Sequence, residues 1–127
     1  MDTRQKILRP EQLGSLRRAG ARLKVVTGCF DPLLAWHARR LKELRQPGEL
    51  LLVVVTDPPD PILPATARAE LVAALDVVDA VVIAGENLAG LLEALAPDEL
   101  IREEAAERVR RDELIRLVAS RCGQTLG

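Results

Sequence analysis

Apolar positions along this chain follow two rhythms. Leu23-Lys24-Val25-Val26-Thr27, Leu50 to Val55 and Ala80-Val81-Val82-Ile83-Ala84 are nearly continuous runs of Leu, Ile, Val and Ala. Such runs read as strands buried on both faces of a parallel sheet. Glu99-Leu100-Ile101 offers a shorter fourth strand. Between these blocks apolar residues recur at three- and four-residue steps, the period of an amphipathic helix. The pattern predicts helices over Glu11 to Gly20, Leu33 to Leu44, Ala65 to Leu75, Leu88 to Leu95 and Glu103 to Arg121. The second of these carries Leu33, Leu34, His37, Leu41 and Leu44 on one side and stops at Pro47-Gly48. Asp57-Pro58-Pro59-Asp60-Pro61 reads as a stiff, irregular connector, because proline fixes φ and removes a donor.

Strands alternating with helices imply βαβ units, right-handed crossovers and a mostly parallel sheet. The expected fold is α/β, a Rossmann-like three-layer sandwich, in a single domain spanning residues 1–127 with no internal repeat and no linker.

Composition narrows the function classes. Of the 127 residues, 48% are hydrophobic and only 2% aromatic, so the core must be aliphatic. Aromatic poverty and a net charge of −1 argue against nucleic acid as a partner, since that surface needs stacking platforms and positive potential. No apolar stretch reaches membrane-spanning length, so no membrane partner is expected. Cys29 and Cys122 make no metal-ligand spacing and read as free thiols of a cytoplasmic chain, with no metal site expected.

Chemistry is expected beyond the carboxyl ends of the strands, where ligands of open α/β sheets bind. The first strand delivers Thr27-Gly28-Cys29-Phe30-Asp31 to that edge. Glycine permits close backbone approach, and the helix that follows offers unpaired N–H groups to a phosphate. His37 lies one to two turns into that helix, and Asp57 ends the second strand at the same edge. Taken singly, Asp31 is expected to cap the helix ahead of Pro32. Cys29 reads as a small buried residue, although a position near a helix start would by itself lower a thiol pKa. Trp36 reads as a core or interface anchor. The run Glu103 to Arg116 reads as a solvated face with Glu104–Arg108 and Glu107–Arg111 pairs.

Gly28-Cys29-Phe30-Asp31-Pro32-Leu33-Leu34-Ala35-Trp36-His37 resembles the G-x-F-D-x-x-H-x-G-H signature of the cytidylyltransferase-like nucleotidyltransferases. The segments Arg68 to Leu75, Val78 to Ile83 and Leu91 to Asp98 are similar to the RAE-x-L-AAL, VD-x-VVI and L-I-E-A-L-x-P-D stretches of one branch. That branch is the adenylyltransferase domain of the bacterial heptose-phosphate kinase/adenylyltransferases. The resemblance covers nearly the whole chain. It implies a homodimer that transfers a nucleotidyl group from ATP or CTP, with Mg²⁺, to a sugar phosphate or similar phosphate, releasing pyrophosphate. His37 would then stabilise charge on the phosphates. Gly28, Cys29 and Phe30 would line the nucleotide pocket, together with Thr27, Asp31, Asp57, Arg68 and Arg102.

The same comparison exposes departures. H-x-G-H reads Leu34-Ala35-Trp36-His37, and leucine cannot donate to phosphate. Trp36 replaces a glycine beside the base. The loop after Asp57 lacks the lysine-glycine element, K-G-G-D-Y reads Arg102-Glu103-Glu104-Ala105-Ala106, and the hydroxyl-rich S-T-T is absent. All these changes weaken the holding of a polyphosphate while the apolar scaffold stays intact. Two readings stand. One is a nucleotidyltransferase fold that has lost or altered catalysis and serves as a binding, scaffolding or regulatory module without a cofactor. The other is an active transferase in which Arg68 and Arg102 replace the missing groups.

Overall fold

The computed structural model describes residues 2–18 and 20–126, with the side chains of 17, 18 and 123–126 left aside. A 3₁₀ turn at Thr3–Lys6 leads into β1 (Ile7–Leu8), and a second turn at Pro10–Gln12 into α1 (Gly14–Arg18). Then follow β2 (Arg22–Gly28), α2 (Ala35–Leu44), β3 (Glu49–Val55), α3 (Ala65–Ala73), β4 (Ala80–Ile83), α4 (Leu88–Leu95), β5 (Glu99–Arg102) and α5 (Glu104–Leu126). The five strands form one parallel sheet in the order β1-β4-β3-β2-β5.

Handedness explains the layering. The β2–α2–β3 and β3–α3–β4 units step one way along the sheet, so right-handed crossovers put α2 and α3 on one face. The β1–α1–β2 and β4–α4–β5 connections step the other way and put α1 and α4 on the opposite face. Side chains alternate to match. Leu51, Val53 and Val55 pack with Leu41, Ala69 and Val72, whereas Leu52 and Val54 pack with Leu13, Leu92 and Leu95. All of Leu51 to Val55 are fully buried, as the unbroken apolar run requires. The α/β, Rossmann-like three-layer expectation therefore holds.

Several boundaries differ from the sequence expectation. The expected helix over Glu11 to Gly20 is a 3₁₀ turn followed by a five-residue α1; Ala19 lies outside the described residues, and Gly20 has φ +78°. The two-residue strand β1 was not expected, being too short to show a period; it pairs Ile7 with Val81 and Leu8 with Val82. Helix α2 begins at Ala35, because Asp31-Pro32 is a cis peptide and Leu34 is extended. Helix α5 runs to Leu126 rather than stopping at Arg121.

Two aspartates fasten the strand starts. Asp79 accepts from the Leu51 N–H at 2.8 Å, and Asp98 from the Leu23 N–H at 2.7 Å. Each also donates its own backbone N–H to the carbonyl of the same residue. A buried ionic cluster lies at that end of the sheet. Lys24 Nζ is 2.9 Å from Glu49 and 3.5 Å from Glu99, and it donates to the Leu44 carbonyl.

Candidate functional site

The strand order places the carboxyl ends of β2, β3 and β5 side by side. The connections leaving the sheet reverse direction at β2, which is where a doubly wound sheet opens a crevice. The ladder continues past each strand end. Thr56 N–H donates to the Gly28 carbonyl at 2.8 Å, and Glu103 N–H to the Thr27 carbonyl at 2.8 Å. Residues 27–31, 56–57 and 103–107 therefore meet at one edge.

At its centre lies Glu107, on the first turns of α5. Its Oε1 accepts the Cys29 N–H at 2.7 Å, and its Oε2 accepts the Phe30 N–H at 2.8 Å and meets His37 Nε2 at 2.9 Å. His37 Nδ1 accepts the Leu34 N–H at 2.9 Å, so the ring hydrogen sits on Nε2 and points at the carboxylate. Three donors thus converge on one anion, the arrangement a phosphate would use, and the anion is the chain's own. A carboxylate is also favoured there by the N-terminal dipole of α5.

Gly28 is shaped by the same contact. A Cβ on it would come within 2.8 Å of Phe30 Cε2 and 3.0 Å of Glu107 Oε1, so only glycine admits both groups. Phe30, at φ +51°, turns its ring into the core and against His37, with centroids 5.2 Å apart.

The neighbouring carboxylates are equally committed. Glu104 accepts from Thr27 Oγ1 at 2.8 Å and Thr56 Oγ1 at 3.0 Å, and Glu103 from Arg40 Nε at 3.0 Å. The expected Glu104–Arg108 and Glu107–Arg111 pairs are absent, because both carboxylates turn down onto the strand ends. Glu103, Glu104 and Glu107 therefore form an acidic seam turned onto the strand ends, Glu103 buried and the other two partly so, while the rest of the run to Arg116 is exposed as its composition predicts. Sequence reasoning missed Glu107; the available signal was a run of acids at 103, 104 and 107, on one helical face directly after a strand.

The other expected site residues divide. Asp31 does not cap α2: it accepts the Ile62 and Leu63 N–H groups at 2.6 and 2.8 Å and holds the 57–63 loop. Leu34 takes the cap position, served by His37. Arg68 is 1% exposed and fully engaged, donating to the Thr56, Cys29 and Leu63 carbonyls and to Asp57 at 2.6 Å. It braces the strand ends from beneath and does not itself line the cleft, although its partners Asp57 and Cys29 do. Arg102 is exposed and lies outside the cleft lining. The Cys29 thiol is pushed up, not down: burial dominates, and the Glu107 and Glu104 charges add to it against the Thr56 hydrogen bond and Arg68. Trp36 stacks on His37 with ring centroids 3.8 Å apart, and Arg110 lies 5.5 Å from the indole centroid.

Above this floor opens a cleft of about 430 Å³, lined by the 29–37 turn, the 57–62 loop and α5 as far as Ile115. The residues at its base do not suit a magnesium-bound polyphosphate. The backbone donors are spent on Glu107, and Asp57, Glu104 and Glu107 set like charge against the phosphates.

No protein-family model matches the chain. Among curated proteins it is 40% identical over 96 residues to the bifunctional protein HldE of Halorhodospira halophila, across 68% of this chain and 20% of that protein. It is 34% identical over 110 residues to HldE of Koribacter versatilis, across 79% of the chain and 22% of that protein. The match thus spans about a fifth of the length of these relatives. A solved lipopolysaccharide core biosynthesis protein from Thermoplasma volcanium superposes with a TM-score of 0.58 at 28% identity, over 64% of this chain and 73% of that one. With the parallel sheet and the motif-bearing turn, these likenesses make the chain a cytidylyltransferase-like α/β domain, similar to the heptose-phosphate adenylyltransferase region. Among the described residues no helix is long and apolar enough to cross a membrane.

Proposed function

We propose that this chain is a sugar-phosphate adenylyltransferase-like domain that has given up nucleotidyl transfer and serves as a binding module. One observation carries the reading: the Glu107 carboxylate fills the cradle made by the Cys29 and Phe30 N–H groups and His37 Nε2. Catalysis of nucleotidyl transfer depends on positioned donors meeting charge that develops on phosphate. Donors already holding a carboxylate are not free to do so, and a phosphate brought beside that carboxylate would be repelled. The replacements Leu34 and Trp36 act in the same direction, one removing a donor and the other placing an indole on the histidine face.

The alternative is an active transferase using ATP or CTP with Mg²⁺ and a sugar phosphate. It is favoured by the intact Gly28-Cys29-Phe30-Asp31 turn and by the hydrogen that His37 Nε2 still directs at an anion, and it requires Glu107 to leave. The deciding experiment is pyrophosphate release from ATP or CTP with Mg²⁺ and a heptose or hexose phosphate. The module reading expects none above background. Release that disappears in His37→Ala would overturn it in favour of the transferase.

A further inference from the structure

Two cations on α5 are left without the partners their spacing offers. Glu104 and Glu107 point into the strand ends, so Arg108 and Arg111, each four residues further on, form no ion pair among the described residues. Both line the cleft, three residues apart and therefore on the same flank of the helix.

The remaining walls are apolar and open. Leu34, Ile62, Leu114 and Ile115 line the same cleft yet remain 39%, 63%, 47% and 54% exposed, with Trp36 and Pro58 between them. A concave apolar surface left in water is a ligand or interaction site in waiting, and about 430 Å³ suits a small molecule. Charge decides which kind. The acidic floor of Asp57, Glu104 and Glu107 disfavours a polyphosphate and weighs more on a dianion than on a monoanion. The two free guanidinium groups favour a single planar carboxylate, which one arginine can grip through two hydrogen bonds.

We propose that the cleft between the start of α2, the 57–62 loop and α5 binds a small amphipathic carboxylate, its apolar body against Trp36 and Ile62 and its head on Arg108 and Arg111. This rests on the reading of the domain as a binding module and names the ligand class for it.

Trp36 is the sole tryptophan and lines the cleft, so its emission reports occupancy directly. The full chain is titrated with sodium decanoate below its micelle concentration, and in parallel with 1-decanol. Saturable change in Trp36 emission is expected with decanoate, weakened about tenfold or more in the Arg108→Ala/Arg111→Ala double variant, as loss of charge-assisted hydrogen bonds implies. Weak 1-decanol binding should be the same in both proteins. Both arginines are exposed, so the double variant keeps its fold, which far-ultraviolet circular dichroism verifies. Arg108→Lys/Arg111→Lys should recover part of the affinity. Absence of a saturable change in the wild type, or equal decanoate affinity in the double variant, overturns the proposal. So does sedimentation showing that a second copy covers α5 and keeps decanoate out. Pyrophosphate release alongside decanoate binding would instead remove the module reading and leave the ligand site standing.

Discussion

His37 and Glu107, seventy residues apart, meet at 2.9 Å across the mouth of β2, and the carboxylate that receives the imidazole also closes the backbone cradle. The pair joins α2 to α5, and the Arg40–Glu103 contact at 3.0 Å repeats the link nearby. The anion site is therefore part of what holds α5 on the sheet. Occupancy of the cradle and stability are coupled at this residue.

Glu107→Ala tests that coupling. It leaves two N–H groups and the imidazole without their acceptor, and a lost acceptor at a poorly hydrated donor costs about 1–3 kcal/mol. A net loss of about 2 kcal/mol is expected in urea unfolding, with Glu107→Gln intermediate because it keeps one oxygen. Millimolar inorganic phosphate should raise the Tm of the alanine variant by mass action and leave the wild type unmoved. Equal phosphate response in both proteins would show that the cradle does not bind phosphate.

Arg68→Ala separates a brace from a nucleotide ligand. The substitution strips charged donors from the Thr56, Cys29 and Leu63 carbonyls, so a loss of about 3 kcal/mol or more is expected, near 10 °C in Tm. A variant as stable as the wild type would rule out the brace.

The fold was legible because its strands are sequence-local: Leu51 to Val55 is buried on both faces, and nothing polar interrupts it. The motif aspartates Asp79 and Asp98 were legible as family segments, and the structure gives them their task, pinning strand starts. The turn at Gly28 was legible for the same reason. The content of the cradle was not. Whether Glu107 faces water or a strand end depends on how α5 leaves β5, and the run of acids at 103, 104 and 107 directly after a strand, the one signal present, fits either arrangement. Asp31 misled for a related reason: Asp before Pro has a local capping preference, and a loop thirty residues away outcompetes it. Arg68 looked like a phosphate ligand because an arginine near a strand edge reads the same whether it faces the ligand or braces the strands from below.

Acid should expose the buried cluster at the other end of the sheet. Burial pushes the Glu49 carboxyl up, but the Lys24 hydrogen bond, the Gln46 N–H and the charges of Lys24 and Arg22 together bring it below its ordinary 4.5. A depressed folded pKa contributes stability that is present above the unfolded value and lost as pH falls through the folded one. Urea midpoints measured from pH 7 down to pH 3 should therefore fall more steeply, below about pH 4.5, in the wild type than in Glu49→Gln. The variant starts lower, because Lys24 keeps its charge with only Glu99 beside it. Parallel curves would remove Glu49 from the acid response.

Cys29 gives a readout of the acidic seam that needs no ligand. Its thiol is held above the ordinary range by burial, then by the negative charge of Glu107 and Glu104. Because the thiolate is the nucleophile, iodoacetamide at pH 8 should modify Cys29 more slowly than the exposed Cys122, by mass spectrometry of the two peptides. Glu104→Gln removes one of the two charges and leaves an amide oxygen for a threonine hydroxyl. It should speed modification of Cys29 while Cys122 keeps its rate. Burial alone would leave the Cys29 rate unchanged in that variant, so the ratio of the two rates isolates the electrostatic part. An unchanged ratio would mean that the seam exerts no field on the cradle.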